Sequence, residues 1–235
     1  MKLYIGNKNY SSWSMRPWVL MRQADIPFEE VQVRFDSFAP GSEFKRHLAG
    51  LSPSGKVPVL HTEIDGVPQV IWDTMAIAEY LAERFPERRL WPVQAATRAR
   101  ARSASAEMHS GFGALRARFP LNIEASLPGI GPRAHAEEPA VAADVARVTG
   151  LWRECLDTSG GPFLFGGFCI ADAFFAPVVM RFRTYGVPLD GACERYAQHV
   201  TQAAGVVEWI AGALAEHDFR PFQEPYRSAP QAPAR

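Results

Sequence analysis

Gly55-Lys56-Val57-Pro58-Val59-Leu60 is the stretch of sequence that decides the fold. It joins a glycine turn to a short apolar strand that carries a proline near its start. Proline cannot donate to a sheet ladder, and a cis peptide bond is inexpensive only before proline. A cis bond here would turn the backbone N–H and C=O of Val57 out of the ladder. The stretch therefore predicts a backbone edge that can pair with an extended ligand.

Asp73-Thr74-Met75-Ala76-Ile77 follows and is typical of a helix start. Asp73 or Thr74 can cap the helix, and Ile77 and Leu81 contribute to its apolar face. A helix N-terminus presents free N–H groups and partial positive charge, which suit a carboxylate. A backbone edge beside such a helix start predicts a site for a small peptide with free carboxylates.

The composition is that of an ordinary globular protein. The 235 residues are 47% hydrophobic, and 25 basic residues balance 25 acidic ones. This balance gives no reason to expect a nucleic-acid or membrane partner, and no apolar run approaches the ~20 residues of a membrane span. Three scattered cysteines, Cys155, Cys169 and Cys193, offer neither a disulfide framework nor metal-ligand spacing. We therefore expect no metal and a reducing, cytoplasmic setting.

The order of predicted elements divides the chain in two. Residues 1–85 alternate strands and helices, beginning with a strand–helix–strand unit and therefore a parallel strand pair. Residues 86–92 form a linker, and residues 93–222 show helical patterns only. In that half we predict one long helix over 93–118, which Gly111-Phe112-Gly113 can bend, and an irregular loop over 119–138. Residues 223–235 are predicted to be a disordered tail.

Four motifs in this order resemble the soluble glutathione transferase family, over about residues 1–222. They are Ser11-Ser12-Trp13-Ser14-Met15-Arg16, similar to a serine-rich stretch of the zeta branch, Gly55 to Leu60, Asp73 to Ile77, and Phe168-Cys169-Ile170-Ala171-Asp172-Ala173-Phe174. The resemblance implies an α/β thioredoxin-like N-terminal domain followed by an all-α C-terminal domain. It also implies glutathione as co-substrate and a homodimer.

The chemistry implied by the resemblance is activation of the glutathione thiol. The thiolate is the nucleophile, and a free thiol has a pKa near 8.5. By resemblance Ser11 is the thiol-contacting hydroxyl, with Tyr10 as the alternative. For Ser12 and Ser14 we favour helix capping alone. The first helix begins without a cysteine, which argues against thiol–disulfide exchange.

The resemblance also assigns candidate binding residues along the chain. Val57, with Pro58 cis, should pair with the cysteinyl unit of glutathione. Thr74 and Asp73 should meet its γ-glutamyl end. The remaining candidates for glutathione contact are Ser11, Trp13, and Lys56 and His47 for the glycyl carboxylate. Candidates for the acceptor pocket are Trp13, Met108, His109, Phe112 and Arg116, whereas Asp172 is expected to cap a buried helix structurally.

Three functions follow from the resemblance. The first is a glutathione S-transferase, active in detoxification, that joins glutathione to a hydrophobic electrophile carrying an alkyl or aryl group. The second is a glutathione-dependent cis–trans isomerase of the maleylacetoacetate isomerase type. The third is a non-catalytic glutathione-binding or interaction protein on the same fold. The sequence favours the first over the second, because the zeta cysteine is replaced by Trp13 and a long Pro- and Gly-rich loop lies at 119–138. The intact Ser11, Pro58 and Asp73-Thr74 argue against the third.

Overall fold

The computed structural model describes residues 1–230. Its N-terminal part contains a sheet with the strand order β2-β1-β3-β4. The strands are β1 (Lys2–Ile5), β2 (Glu29–Gln32), β3 (Val59–Ile64) and β4 (Val67–Trp72). β1 and β2 are parallel, as the strand–helix–strand pattern predicted, and the other pairs are antiparallel. Asp65 and Gly66 make the β3–β4 hairpin turn, both with positive φ.

Three helices accompany this sheet: α1 (Ser12–Gln23), α2 (Glu43–Leu48) and α3 (Thr74–Arg84). Each has a polar residue at its N-cap whose side chain accepts a backbone N–H of the first turn, namely Ser11, Ser42 and Asp73. The caps fix where the helices begin. The result is the thioredoxin-like N-terminal domain that the motifs predicted.

The second half of the described chain is helical, as predicted. Its helices are α4 (Ala95–Ser110), α5 (Gly113–Arg118), α6 (Ile130–Glu137), α7 (Pro139–Ser159), α8 (Ile170–Tyr185), α9 (Gly191–Gln202) and α10 (Ala204–Ala215). The domain boundaries at residues 85 and 93 stay predictions. The structure places the end of α3 at Arg84 and the start of α4 at Ala95.

Two details of this half differ from the predictions. The expected long helix breaks into α4 and α5, because Gly111 leaves helical geometry and Phe112 adopts a left-handed conformation with φ 59°. The expected loop 119–138 contains α6. Gly131 allows this helix to approach the end of α8, since a Cβ there would lie 2.6 Å from the Tyr185 carbonyl oxygen.

The core joins the two halves through α8, which is buried along almost its whole length. α1 packs against both α8 and α10, and Trp18 of α1 meets Trp209 of α10 edge to face, with ring centroids 5.3 Å apart. Because α1 is shared, its N-terminus lies at the junction of the two halves.

The C-terminal segment corrects the predicted disordered tail. Glu224 is buried, and its carboxylate accepts hydrogen bonds from the Asn122 amide at 2.8 and 2.9 Å. Arg227 pairs with the same carboxylate. A buried ion pair fixes residues 224–227, which contradicts the prediction there. Residues 231–235 lie outside the described residues.

Candidate functional site

Two adjoining cavities lie beside the N-terminus of α1, and Trp13, Lys56 and Val57 line both of them. The first, of about 540 Å³, is called the serine cavity; its wall consists of Tyr10, Ser11, Ser12, Trp13, Phe35, Phe38, Phe44, Lys45, Lys56, Val57, Arg116, Pro120, Leu121, Arg181 and Gln223. The second, of about 350 Å³, is called the Pro58 pocket; it is formed by Trp13, Ser54, Lys56, Val57, Pro58, Trp72, Asp73 and Thr74. Most of the predicted glutathione contacts therefore meet in one place.

Val57 presents the predicted backbone edge to both cavities. The Val57–Pro58 peptide bond is cis, as predicted, and β3 begins only at Val59. The backbone N–H and C=O of Val57 have no hydrogen-bond partner among residues 1–230. Both groups can therefore pair with an extended peptide.

The start of α3 forms the far end of the Pro58 pocket. The Asp73 carboxylate accepts the Met75 N–H at 2.8 Å, and Thr74 is 1% exposed. His109 of α4 contacts both residues, with its Nε2 3.2 Å from Asp73 Oδ2 and its Nδ1 3.4 Å from Thr74 Oγ1. Burial lowers the pKa of His109, and the Asp73 charge opposes that shift. The helix start is thus tied to the helical half of the chain.

The hydroxyl groups at the start of α1 are engaged in different ways. Ser11 is the N-cap, and its O–H donates to Ser14 Oγ at 2.8 Å. Ser12 Oγ accepts a hydrogen bond of 3.1 Å from Nη2 of Arg181. Tyr10 donates to Glu224 at 2.7 Å, and burial raises the pKa of its phenol. Tyr10, the alternative thiol contact, therefore has its proton committed to the C-terminal segment.

Three guanidinium groups gather behind this serine segment. Arg16 is 1% exposed, and its Nε and Nη1 have no hydrogen-bond partner among residues 1–230. The guanidinium carbon Cζ of Arg16 lies 4.4 Å from the Trp13 ring centroid. The Cζ of Arg116 lies 5.0 Å from the same centroid. Burial lowers the pKa of Arg181 to about 10, which still leaves it charged at neutral pH. Such a cluster favours a bound anion.

The predicted acceptor-pocket residues are only partly brought together. Trp13 and Arg116 line the serine cavity. Met108 and Phe112 are buried in the core, and His109 contacts the α3 start instead. His47 lies apart from both cavities, in a shallow pocket with Glu43 and Arg46. Of the two predicted glycyl contacts, the structure therefore places only Lys56 in the site.

Sequence reasoning missed several residues of the serine cavity. Lys45 reaches it from α2 and donates to the Gly55 carbonyl at 2.8 Å, and Phe35, Phe38 and Phe44 form an aromatic wall of edge-to-face pairs. Arg181 was also missed. Its signal was a charged residue within the apolar run of α8, since a buried arginine requires partners.

Among residues 1–230, no group of three or more His, Cys, Asp or Glu side chains is arranged to hold a metal ion. No helix in the described part of the chain has the length and apolarity needed to cross a membrane.

The fold and the cavities define a protein class: a thioredoxin-like domain with a backbone edge that is unpaired within residues 1–230, joined to a helical domain. Comparison with known proteins gives a family match within the N-terminal half. Residues 10–84 match the family described as glutathione S-transferase, N-terminal domain. The match covers most of the N-terminal domain, and solved glutathione transferases share the fold of most of the chain, as the sequence predicted.

The names of similar proteins are of two kinds, isomerase and glutathione transferase. A probable maleylacetoacetate isomerase from Caenorhabditis elegans is 32% identical over 110 residues, which are 47% of each protein. The aligned part is thus less than half of that relative. A glutathione transferase homologue from Burkholderia gl BGR1, solved with bound glutathione, shares the fold with a TM-score of 0.66 and 23% identity, over 91% of this chain and 98% of that one.

A bacterial maleylpyruvate isomerase, described as a zeta-class glutathione S-transferase, has the same fold. Its TM-score is 0.65 at 22% identity, over 91% of this chain and 98% of that chain. At this level of identity the likeness concerns the fold alone.

Proposed function

We propose that this protein binds glutathione in the Pro58 pocket and uses its thiolate to attack a hydrophobic electrophile. One observation carries the proposal: the backbone groups of Val57, which no residue of the described range 1–230 pairs with, and the capped start of α3 line the same pocket. An extended peptide with a carboxylate at one end requires these two features together.

Glutathione fits this pocket group by group. Its cysteinyl backbone pairs with Val57. The γ-glutamyl carboxylate meets Thr74 and the first N–H groups of α3, while its ammonium lies near Asp73. Lys56 is placed for the glycyl carboxylate. The sulfur then points toward the start of α1, where helix N–H groups and a hydroxyl favour the thiolate.

In the proposed reaction the thiol loses its proton to solvent. The thiolate sulfur donates an electron pair to an electrophilic carbon, a C–S bond forms, and the leaving group departs with its electron pair. The aromatic wall Phe35, Phe38 and Phe44 supplies apolar surface for the electrophile.

A second candidate is cis–trans isomerisation, which the names of two similar proteins and the zeta-like serine segment favour. Here the thiolate adds to a conjugated double bond, the resulting single bond rotates, and the sulfur leaves with the electron pair of the C–S bond. Glutathione is then recovered. The homodimer, the detoxification role and the cytoplasmic location stay predictions.

One assay separates the alternatives. The wild-type protein is incubated with glutathione and either an aryl halide or a cis-configured conjugated dicarbonyl compound, and free thiol and product are followed together. Loss of thiol with thioether formation supports the transferase. Conversion to the trans isomer with thiol retained supports the isomerase. Rates equal to the uncatalysed ones with both compounds would contradict both and favour a non-catalytic binding protein.

The variant Thr74→Val tests the site itself. We expect KM for glutathione to rise about tenfold with kcat little changed, because one hydrogen bond to a carboxylate, worth about 1.5 kcal/mol, is lost. Thr62→Val is the matched control, since Thr62 lies on β3 with its hydroxyl 3.2 Å from that of Tyr80. Equal KM values for the two variants would argue against γ-glutamyl binding at Thr74.

A further inference from the structure

The hydroxyl protons at the start of α1 distinguish the serines from one another. The proton of Ser11 goes to Ser14 Oγ, and that of Tyr10 goes to Glu224. Ser12 is different. Its oxygen accepts from Arg181, and its own O–H has no acceptor among residues 1–230. Of these three hydroxyls in the cavity wall, Ser12 alone has a proton to offer to a ligand.

Arg181 fixes the direction of the Ser12 hydroxyl. Its guanidinium is buried and held by two backbone carbonyls, with Nε 2.7 Å from Phe119 O and Nη1 3.3 Å from Pro177 O. The third hydrogen bond, from Nη2, occupies a lone pair of Ser12. Because the planar guanidinium is held at three points, the Ser12 proton is directed away from it.

The charges around Ser12 favour an anion at that proton. Burial is the main reason that the pKa values of Arg16, Arg116 and Arg181 are lowered. The charge of Arg116 lowers the pKa of Arg16 and of Arg181 further, and the charge of Arg181 lowers that of Arg16. The carboxylates that face this group are Asp73, near Arg16, and Asp144, near Arg116. The Trp13 backbone N–H in the first turn of α1 also lacks a partner among the described residues. Both donors and the excess positive charge suit a thiolate.

We propose that Ser12, rather than Ser11, is the catalytic hydroxyl that hydrogen-bonds the glutathione sulfur, with Arg181 as the positioning residue that orients it. This inference rests on the proposed function. Ser12 keeps its proton throughout; the thiol proton leaves to solvent, and the sulfur keeps the electron pair that it later donates to the electrophile. Ser11 then serves as the cap of α1.

The test measures the pKa of bound glutathione from thiolate absorbance across pH in wild type and variants, with affinity measured separately by calorimetry. Ser12→Ala should raise this pKa by about one unit, a tenfold smaller ratio of thiolate to thiol. Ser12→Thr, which keeps the hydroxyl, should shift it by less than half as much. Ser11→Ala should lower the melting temperature and leave the pKa of the thiol nearly unchanged.

Arg181→Lys keeps the charge but loses the forked hydrogen bonds of the guanidinium. Like Ser12→Ala, it should raise the pKa of the bound thiol. If Arg181 acts through Ser12, the double variant Ser12→Ala/Arg181→Lys should show no further shift beyond Ser12→Ala.

Three outcomes would overturn the assignment. They are a raised thiol pKa in Ser11→Ala but not in Ser12→Ala, no shift in either, or additive shifts in the double variant. Absence of glutathione binding by wild type in the calorimeter would instead reject the proposed function itself. If Ser12→Ala folds poorly, Ser11→Ala still decides between the serines, because a raised thiol pKa in that variant overturns the assignment and an unchanged one supports it.

Discussion

Tyr10 illustrates how long-range contacts decide what a side chain near the site can do. Its hydroxyl donates to Glu224 at 2.7 Å and accepts the Arg220 N–H at 3.1 Å. Burial is the main reason that the pKa of this phenol is raised, and the Glu224 carboxylate adds to it. The phenol therefore stays protonated at neutral pH and holds the C-terminal segment in place.

Tyr10→Phe should lower the free energy of unfolding by about 1–3 kcal/mol, because the buried Glu224 carboxylate loses one of its donors. The pKa of bound glutathione should not change. Chemical denaturation and thiolate absorbance check the two parts of this prediction. Tyr4→Phe is the control, since the Tyr4 ring packs on His61. A thiol pKa raised by a unit in Tyr10→Phe would return Tyr10 to the role of thiol contact.

The residues that line the site could be predicted where their role depends only on neighbours in the sequence. Val57, Asp73 and Thr74 follow from a proline near a strand start and from a capped helix, patterns readable in a few consecutive letters. Arg181 meets Ser12 across 169 positions. No local pattern reports such a pair, and this is why the sequence pointed to Ser11 while the hydrogen bonds favour Ser12.

At the scale of the element, the start of α8 depends on one buried carboxylate. Asp172 is fully buried and accepts the Cys169 N–H at 2.9 Å and the Leu164 N–H at 3.1 Å. It therefore joins the loop before α8 to the first turn of the helix. These contacts are those expected of the structural cap that the sequence predicted for Asp172.

Asp172→Ala should destabilise the fold by about 2–4 kcal/mol, because two buried N–H groups lose their acceptor. Asp172→Asn, which keeps one acceptor oxygen, should cost less. Urea denaturation at pH 7 measures both. A loss below about 0.5 kcal/mol in the alanine variant would show that water or another group replaces the carboxylate.

The Asp172 carboxylate should also make the stability of the fold depend on pH. Burial raises the pKa of Asp172 to about 6, against the opposing effect of its two N–H donors. The folded state therefore binds the proton more tightly than the unfolded state, and this stabilisation, present below about pH 4, is lost as pH rises through about 6. The stability of wild type relative to Asp172→Asn should fall over that interval.

Asp190, the N-cap of α9, should make stability depend on pH in the opposite direction. Its carboxylate accepts the Cys193 N–H, and that hydrogen bond and Arg153 lower its pKa to about 2. Its stabilisation is present above about pH 4 and is lost as pH falls toward 2. Wild type relative to Asp190→Asn should therefore lose stability on acidification. If the stability difference between wild type and variant changed with pH in the same direction for Asp172→Asn and Asp190→Asn, at least one of the two assignments would be wrong.

The helix break at Gly111 shows the limit of predicting elements from sequence. The pattern over 93–118 gave one helix with a flexible point, and the structure has α4 and α5 with Phe112 in a left-handed conformation. A Cβ at position 111 would lie 2.8 Å from the Glu107 carbonyl oxygen. Glycine at position 111 permits this break, but whether the helix breaks there depends on tertiary packing. The sequence did not reveal α6 either, because its formation also depends on tertiary packing.

At the scale of the whole molecule, the order of motifs was sufficient to predict the two-domain fold. Each motif is weak alone, and their sequence and spacing match one architecture. The C-terminal segment could not be predicted in this way. Its polar, proline-containing composition is typical of disorder, yet Glu224 is held by Asn122, 102 positions earlier. The amino-acid composition of a segment does not reveal a buried partner that lies far away in the sequence.

The central claim is that this architecture binds glutathione and ionises its thiol. The most direct measurement is the thiolate absorbance of glutathione at saturation with the wild-type protein at pH 7, with S-methylglutathione as the blank. We predict a bound-thiol pKa near 6.5, against about 8.5 in free glutathione, so that about 75% of the bound ligand is thiolate. A saturated complex with no more thiolate than free glutathione at the same pH would contradict the account.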